Sequence, residues 1–412
     1  MLKYEDLTFI QEKDKVIVKL YKYFHKEFST KEILEELGPY EIKDGKIVLS
    51  KYPDERAEKK IMRLIRKYKK DLTYSLNGNK AIFVDEDLGL PMMGLNFLGI
   101  LDKGSEMLEI KPITNCNADC VFCSVDEGPS SKKSVDFIVD VNYLVDEINK
   151  LLHFKDTPGI SIWINPHGEP TLYSKLAELC DLTLRINYVK DITIITNGLL
   201  LNKALVDKLH QIKTSHSKPI KLSVSISGVS KEMSKKMMGE SYNINIVKKN
   251  LEYAIEKLEI SITPVLLSWM NTDEMIKIIE LAQELSKNKD KEELRVAIQK
   301  FCKNKKGRNP GKEQSWEDFF KELRQIEAKT NYKLLHNFGK IKETPELPTV
   351  CKKDEKISVK ILCYGRYKHN RLGIFETPLG NRAVAVIGCN PEKGIVKTKV
   401  IQSKHNMIVA KC

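Results

Sequence analysis

The chain has 412 residues, of which 42% are hydrophobic and 30% are charged, a composition typical of a folded globular protein. At roughly 150 residues per domain, this length predicts two or three domains. The sequence contains no apolar run near the ~20 residues needed to cross a membrane, and its start, MLKYEDLTFIQEKDK, lacks a signal-peptide pattern. We therefore expect a cytoplasmic protein with no membrane partner.

The net charge of +13 is unevenly distributed along the chain. Residues 351–412 contain 13 Lys or Arg but only 4 Asp or Glu. Gln299–Ser315 contains six Lys or Arg and one Asp or Glu. The rest of the chain is close to neutral. Positive charge segregated in this way favours a polyanionic partner, although a generally lysine-rich composition is the alternative explanation.

Residues 1–104 are interpreted as an accessory region and lead-in. One helix is predicted over STKEILEEL, where Ser29 or Thr30 is the N-cap, and a second over DERAEKKIMRLIRKYKK. We therefore expect a small, mainly helical unit, followed by the Gly- and Pro-rich segment Gly89–Gly99.

From about residue 105, apolar strands alternate with helices. The predicted strands are MLEIKPI (107–113), ISIWIN (160–165), ITIITN (192–197), KLSVSIS (221–227), ISITPVL (260–266) and LRVAI (294–298). The helices predicted between them include VDFIVDVNYLVDEINKLL, KALVDKLHQI, NINIVKKNLEYAIEKL and TDEMIKIIELAQEL. Strands that are apolar along nearly their whole length are typical of parallel sheets. Residues 105–300 are therefore predicted to form a parallel α/β domain, a partial TIM-like barrel.

Two further segments follow this domain. Residues 301–345 are interpreted as a basic loop and a helical linker, with a helix over SWEDFFKELRQIEAKT that Ser315 caps. Residues 346–412 contain five short predicted strands, SVKILCYG, LGIFET, RAVAVIG, GIVKTKVIQS and MIVAKC. Their spacing is typical of a small closed β-barrel.

Three of the nine cysteines, Cys116, Cys120 and Cys123, form a C-x3-C-x2-C pattern directly after the first strand of the α/β domain. An odd number of cysteines without a signal peptide argues against a disulfide framework. Three thiolates can hold three irons of a [4Fe–4S] cluster, whose fourth iron is then open to an external ligand such as S-adenosylmethionine (SAM). A zinc site, which would need a fourth ligand, and a redox C-x2-C pair remain as alternatives.

This spacing, with Phe122 before the third cysteine, resembles the radical SAM superfamily over roughly residues 105–300. HGEP (His167–Pro170) resembles the GGEP loop of that family, and further polar groups stand at predicted strand ends. The resemblance implies a [4Fe–4S] cluster on the three cysteines, reductive cleavage of SAM, and an electron donor such as ferredoxin or flavodoxin. The residues that it implies for SAM binding are Phe122, Gly168, Glu169, Pro170, Thr196, Asn197, Ser225, Ser227 and Pro264.

Two residues are catalytic candidates. His167 stands where the family pattern usually has glycine, so it could exchange protons with a substrate, or merely hydrogen-bond its own loop. Cys302, near the expected rim of the barrel, is an additional thiol, with an ordinary buried cysteine as the alternative.

The last ~60 residues resemble the TRAM domain, an RNA-binding β-barrel carried by several tRNA- and rRNA-modifying enzymes. The segment GCNPEKGIVKTKV and the strand pattern carry this resemblance, which implies RNA as the partner, with tRNA the first candidate. Basic and aromatic residues in these regions could neutralise phosphates and stack on bases. The residues predicted to contact RNA are Lys303, Lys305, Lys306, Arg308, Arg366, Lys368, Arg371, Lys397 and Lys399.

The sequence thus predicts a radical SAM enzyme, an RNA-modifying transferase that acts first of all on tRNA. Two alternatives stay open: a radical enzyme that acts on a protein or small molecule, and a cluster-bearing RNA-binding protein without turnover. Residues 1–115 contain no cysteine, which argues against the methylthiotransferases that hold a second cluster in an N-terminal domain.

Overall fold

The computed structural model describes residues 3–287, 294–335 and 339–412, and within them the chain forms an N-terminal sheet unit, a central α/β barrel and a C-terminal β-barrel. The N-terminal unit and the central barrel share one continuous hydrophobic core. A smaller core fills the C-terminal barrel. The strands and helices of the N-terminal unit are β1 (Leu7–Glu12), β2 (Lys15–Leu20), β3 (Phe24–Ser29), α1 (Thr30–Leu37), β4 (Glu41–Lys43), β5 (Lys46–Val48), α2 (Asp54–Tyr68), β6 (Leu72–Tyr74) and β7 (Lys80–Val84).

The prediction of a mainly helical N-terminal unit is wrong. Both predicted helices are present, and Ser29 caps α1 by accepting a hydrogen bond from the N–H of Glu32. The larger part, however, is a sheet in the order β1-β2-β3-β6-β7. Residues of β1 alternate between the core and solvent, with Leu7 and Phe9 buried and Thr8 exposed. This period of two is the signature of a half-buried strand.

The central unit contains the predicted strand–helix alternation. Its elements are β8 (Gly99–Asp102), β9 (Met107–Lys111), β10 (Val135–Val139), α3 (Val141–Lys155), β11 (Ile160–Ile164), α4 (Leu176–Leu184), β12 (Val189–Thr196), α5 (Lys203–His216), β13 (Ile220–Val224), α6 (Lys231–Met238), α7 (Ile244–Ala254), β14 (Glu259–Ile262), β15 (Val265–Leu266), α8 (Thr272–Ser286), β16 (Arg295–Val296), β17 (Gln299–Lys300) and α9 (Trp316–Thr330).

The six predicted strands are confirmed as the sheet β16-β14-β13-β12-β11-β9, in which neighbours pair in parallel. β8 extends this sheet by pairing antiparallel with β9. The predicted strand over ISITPVL is divided into β14 and β15 around Pro264, because proline has no N–H to donate to a sheet. The parallel α/β class and the partial barrel are therefore confirmed.

The predicted helix over residues 135–152 is wrong in its first third. Val135–Val139 is the strand β10, which pairs in parallel with β7 and so adds a sixth strand to the N-terminal sheet. Asp140 then caps α3, since its carboxylate accepts the N–H of Tyr143. The central unit thus contributes a strand to the N-terminal sheet, and the two units are joined through their backbones.

The C-terminal unit is the closed five-stranded barrel that the sequence predicts. Its strands pair in the order β18-β19-β20-β22-β21 around the closed barrel. The strands are β18 (Lys356–Tyr364), β19 (Asn370–Phe375), β20 (Arg382–Ile387), β21 (Gly394–Gln402) and β22 (Val409–Lys411).

Backbone hydrogen bonds attach this barrel to the lead-in of the central unit. The N–H of Ala383 donates to the carbonyl of Met93, and the N–H of Ile408 donates to the carbonyl of Gly94, each at 2.8 Å. Gly94 has a φ of 129°, and a Cβ there would lie 2.0 Å from the carbonyl oxygen of Ala383. The close approach therefore requires glycine. No helix in the described residues is both long and apolar enough to cross a bilayer.

Candidate functional site

The residues predicted to bind a cluster and SAM follow the carboxyl ends of neighbouring parallel strands. The three cysteines follow β9, His167–Pro170 follows β11, Asn197 follows β12, and Ser225 and Ser227 follow β13. These strands are adjacent in the sheet in the order β13-β12-β11-β9. In parallel α/β barrels the chemistry is located at this edge.

The cysteine loop, defined here as residues 115–127, directs backbone N–H groups at two of its sulfur atoms. The N–H of Ala118 lies 3.5 Å from the Sγ of Cys116, and the N–H of Glu127 lies 3.3 Å from the Sγ of Cys123. Burial raises the pKa of the Cys116 thiol well above its usual range, and Glu169 and Cys120 raise it further. The thiolate form therefore needs a bound cation, while the N–H donors suit a sulfur that carries negative charge.

The loop after β11 is held against the cysteine loop by main-chain hydrogen bonds. The N–H of Asn115 donates to the carbonyl of His167 at 3.1 Å, and the N–H of Glu169 donates to the carbonyl of Asn115 at 2.9 Å. Gly168 lies between these two bonds with a φ of 149°, and a Cβ there would lie 1.9 Å from the oxygen of Asn115. Only glycine allows this contact between the two loops.

Glu169 joins the same loop to the end of β12. Its Oε1 accepts hydrogen bonds from the hydroxyls of Thr171 and Thr196, both at 2.6 Å, and its Oε2 accepts the N–H of Asn197 at 2.8 Å. The N–H of Thr171 also donates to Oε1 at 3.0 Å. The side chain is buried and its oxygens are occupied by protein donors. Glu169 therefore positions the loop.

Comparison with known proteins was consistent with this geometry. Residues 110–282 match the radical SAM superfamily. The chain carries a radical SAM domain. The chain is similar to an uncharacterized protein of Methanocaldococcus jannaschii, 28% identical over 368 residues, which covers 82% of each chain. It is also similar to a probable GTP 3′,8-cyclase of Saccharolobus islandicus, 28% identical over 198 residues, 46% of this chain and 58% of that protein.

The chain thus spans little more than half the length of that cyclase. Among solved structures, a spore photoproduct lyase mutant aligns over 64% of this chain and 73% of its own, with a TM-score of 0.39 and 12% identity.

A radical SAM domain implies a [4Fe–4S] cluster and SAM, and the cysteine loop fits such a cluster. Among the described residues, no three His, Cys, Asp or Glu side chains converge closely enough to hold a single metal ion. A cluster instead takes one thiolate for each iron, so its cysteines need not converge on one point. When bound and reduced, the cluster supplies the electron that breaks a carbon–sulfur bond of SAM.

The strand-end residues of the radical SAM domain differ in what they offer a ligand. The hydroxyl of Ser227 accepts the N–H of Val265 at 3.0 Å, and the carbonyl of Pro264 accepts the N–H of Gln299 at 2.7 Å, so both hold strand ends together. Ser225 and Phe122 are half-buried. Within the described residues, the Ser225 hydroxyl has no protein partner, so it is the serine that suits ligand binding.

Asn197 links the end of β12 to the cysteine loop. Its Nδ2 donates to the side-chain oxygen of Asn117 at 2.8 Å and lies 3.8 Å from the Sγ of Cys116. Its Oδ1 accepts the N–H of Leu199 at 3.1 Å. Asn115 and Asn117, which sequence reasoning did not select, therefore belong to the site. Their position immediately before and after the first cysteine was the available signal.

The two catalytic candidates lie in different surroundings. Burial lowers the pKa of His167 well below its usual range, and the cations Lys111, Arg366 and Lys133 lower it further. The imidazole is therefore neutral at pH 7, with one donor and one acceptor nitrogen. Cys302 is exposed, so the alternative of an ordinary buried cysteine is wrong. A catalytic role for either residue stays a prediction.

Two of the predicted RNA contacts, Arg366 and Arg371, are wrong because their side chains are buried. A third, Arg308, is half-buried with its guanidinium group paired to protein carboxylates, and its contact with RNA stays a prediction. Arg366 is buried and pairs with Glu127. Arg371 is also buried and donates to backbone carbonyls, among them that of Asn390 at 2.8 Å. Arg308 pairs with Asp119 at 2.7 Å and with Asp126 at 2.8 Å.

The other six predicted contacts are exposed lysines, and their contact with RNA stays a prediction. These residues are Lys303, Lys305, Lys306, Lys368, Lys397 and Lys399. The first three lie in the basic loop after β17, which packs on the cysteine loop: the N–H of Arg308 donates to the carbonyl of Cys123 at 2.8 Å. The rim of the site is therefore positively charged.

The carboxylate of Glu274 supports the loop that follows β13. Glu274 on α8 accepts the N–H groups of Val229 and Ser230, at 2.5 and 2.9 Å, and pairs with Lys277 at 2.7 Å. Burial alone would raise the pKa of Glu274, but Lys277 and these N–H donors together lower it to about 2. The carboxylate therefore anchors the loop that follows Ser227.

Glu274→Gln is expected to lower the free energy of unfolding at pH 7 by about 2 kcal/mol. Because the folded-state pKa of Glu274 is about 2 and its ordinary value is 4.5, the carboxylate contributes fully above the ordinary value and progressively less as the pH falls. The difference between wild type and variant should shrink across that window. Urea unfolding followed by circular dichroism at pH 7 and pH 3 measures it, and an equal difference at both pH values would contradict the assignment.

Proposed function

We propose that this chain is a radical SAM enzyme that modifies RNA, with tRNA the first substrate to test. Cys116, Cys120 and Cys123 would hold the [4Fe–4S] cluster, and the strand ends with Gly168 and Ser225 would bind SAM. One observation carries the choice of RNA: a lysine face on the C-terminal barrel, formed by Lys356, Lys360, Lys397 and Lys399 on β18 and β21.

The lysine face brings like charges together on two paired strands. In the register of β18 and β21, Lys356 lies opposite Lys399, and Lys397 and Lys360 lie opposite Ser358 and Ile395. All four lysines are exposed. Lys399 pairs with Asp354 at 2.8 Å, while the other three have no ion pair within the described residues. Three exposed lysines without an ion pair concentrate positive charge on this surface, which a bound polyanion would neutralise.

Lys360→Glu combined with Lys397→Glu is expected to weaken tRNA binding by about tenfold and to reduce the salt dependence of binding by about two ions. Each lysine that contacts a phosphate releases about one counterion, so both quantities should change together. Fluorescence anisotropy with transcribed tRNA at several salt concentrations measures both.

The matched control is Lys31→Glu combined with Lys59→Glu. These lysines lie on α1 and α2 with side chains 84% and 75% exposed, so the change in net charge is the same at a different surface. If both double variants lost affinity equally, the attraction would be general and the lysine face would not be the binding surface. If wild-type affinity for tRNA were independent of salt, the RNA proposal would fail.

A second candidate is a purine nucleotide as a small-molecule substrate. It is favoured by the similarity of part of the chain to proteins named probable GTP 3′,8-cyclase. Mass spectrometry of tRNA nucleosides from wild-type and deletion strains separates the two, since only an RNA-modifying enzyme leaves a missing nucleoside in the deletion strain. Unchanged nucleosides together with turnover of GTP in vitro would favour the second candidate.

Turnover itself is tested by anaerobic reconstitution with iron and sulfide, followed by SAM and dithionite. We expect 5′-deoxyadenosine or methionine as a product of SAM cleavage. In the cell, a small redox protein such as ferredoxin or flavodoxin would replace dithionite. A loaded cluster without either product would favour a cluster-bearing RNA-binding protein instead.

A further inference from the structure

We propose that Arg366, from the C-terminal barrel, is a positioning residue for the cluster and sets the electrostatic environment of the cysteine loop. The barrel would then complete the cluster site in addition to any role in RNA binding. This inference rests on the cluster part of the proposed function and is independent of the substrate.

Arg366 leaves the end of β18 and extends into the central unit. Its Nη1 and Nη2 lie 2.9 Å from the two carboxylate oxygens of Glu127, a two-point contact, and Nη2 also lies 3.3 Å from Asp136. Its carbonyl accepts the N–H of Ser134 at 3.0 Å. The side chain of Arg366 is only 4% exposed. Nη2 donates the hydrogen bond to Glu127, while Nη1 makes an ion-pair contact and, like Nε, has no hydrogen-bond partner among the described residues. The ion pair fixes the position of this buried guanidinium.

The contact with Glu127 leads to one end of the cysteine loop. The backbone N–H of Glu127 is the group that lies 3.3 Å from the Sγ of Cys123. The Glu127 carboxylate also accepts a hydrogen bond from Nζ of Lys133 at 2.8 Å. Its position is therefore fixed by two cations, Lys133 and Arg366. By fixing the Glu127 side chain, Arg366 therefore also stabilises the hydrogen bond from the N–H of Glu127 to the Sγ of Cys123.

The contact of Arg366 with Asp136 connects it to the other end of the cysteine loop, at Cys116. Asp136 accepts hydrogen bonds from the Thr114 hydroxyl at 2.9 Å and from Nδ2 of Asn115 at 2.8 Å. The side-chain oxygen of Asn115 in turn accepts the N–H of Cys116 at 2.6 Å. Arg366 is thus linked to the first and the last cysteine of the loop through two separate carboxylates.

Arg366 and the three ionised side chains around it form a network with no net charge. Arg366 and Lys133 supply two positive charges and Glu127 and Asp136 two negative charges, and the four side chains are 1% to 6% exposed. Removal of Arg366 leaves one uncompensated negative charge near the cysteines. Since reduction adds an electron to a cluster, a nearby negative charge disfavours the reduced state.

The experiment compares Arg366→Met and Arg366→Lys with wild type after anaerobic reconstitution. For Arg366→Met we expect iron release to a chelator about tenfold faster, the size seen when groups that support metal ligands are lost, and a lower midpoint potential. Arg366→Lys keeps the charge but loses the two-point contact. It should keep the midpoint potential close to wild type while releasing iron faster.

Arg382→Met is the matched control. Arg382 is buried in the same barrel, but it donates to the carbonyls of Asn381 and Pro348 at 3.1 and 3.4 Å. Equal iron release and potential in the Arg366 and Arg382 variants would overturn the proposal and leave Arg366 with a structural role only. If Arg366→Met does not fold, Arg366→Lys alone decides between these outcomes. If wild type takes up no iron, the proposed function itself has failed.

Discussion

Cys120→Ala is expected to abolish SAM cleavage and to leave less than the full complement of about four irons per chain. The wild-type loop offers three thiolates to the cluster, and the variant keeps only two of them. The fold should survive, since Cys120 is half-buried at the loop and its sulfur contacts Met238 at 3.7 Å. Loss of one small side chain at such a place costs about 1 kcal/mol. Iron and sulfide assays, SAM turnover and a thermal melt measure the three quantities.

Cys302→Ala serves as the control for Cys120→Ala. It removes an exposed thiol near the rim and should leave iron and sulfide content unchanged. A fall in turnover with normal iron content would support the catalytic role predicted for Cys302. Full SAM cleavage by Cys120→Ala would show that the cysteine loop does not hold the cluster.

Gly168→Ala is expected to reduce SAM cleavage by about 100-fold, the size of effect produced by a displacement of about 1 Å in an active site. The added Cβ would lie 1.9 Å from the oxygen and 2.6 Å from the carbonyl carbon of Asn115, so the loop after β11 must separate from the cysteine loop. Equilibrium dialysis with SAM, together with turnover, measures the effect.

Gly394→Ala is the matched control for the backbone conformation. Gly394 has a φ of 101°, but a Cβ there meets no atom within 4 Å. Gly394→Ala therefore introduces the strain of an alanine at positive φ without a steric overlap of the kind that Gly168→Ala makes with Asn115. Its SAM cleavage should stay near wild type. If Gly168→Ala cleaved SAM as well as Gly394→Ala does, the contact with Asn115 would not be important for the site.

The sequence predicted the parts of the fold that have strong local patterns. The six parallel strands, the helix capped by Ser315 and the five-stranded C-terminal barrel all appear where the pattern placed them. The N-terminal sheet was missed because β1, β2 and β3 carry polar and charged residues among their apolar ones, so that two regular helices dominated the pattern. β10 was missed because VDFIV runs directly into the apolar face of α3 without a Gly or Pro between them.

The role of the basic residues depended on partners that are distant in the chain. Arg366 lies 230 residues from Asp136 and Arg308 lies 182 residues from Asp126, so no local pattern could show that these guanidinium groups are occupied. The six lysines predicted to contact RNA are exposed, because a flexible and strongly hydrated side chain usually remains at the surface, and their contact with RNA stays a prediction.

By itself, the sequence determined the three-cysteine loop, the polar strand ends and the positions of the strands along the chain, because each depends on spacing within a few residues. Only the tertiary structure decided which of those groups are free to bind a ligand. It showed that Glu169, Ser227 and Pro264 are occupied by protein donors and that Ser225 is not. It also placed an arginine of the C-terminal barrel behind the cysteine loop. A buried charge must be paired, and the partner is chosen by proximity in space.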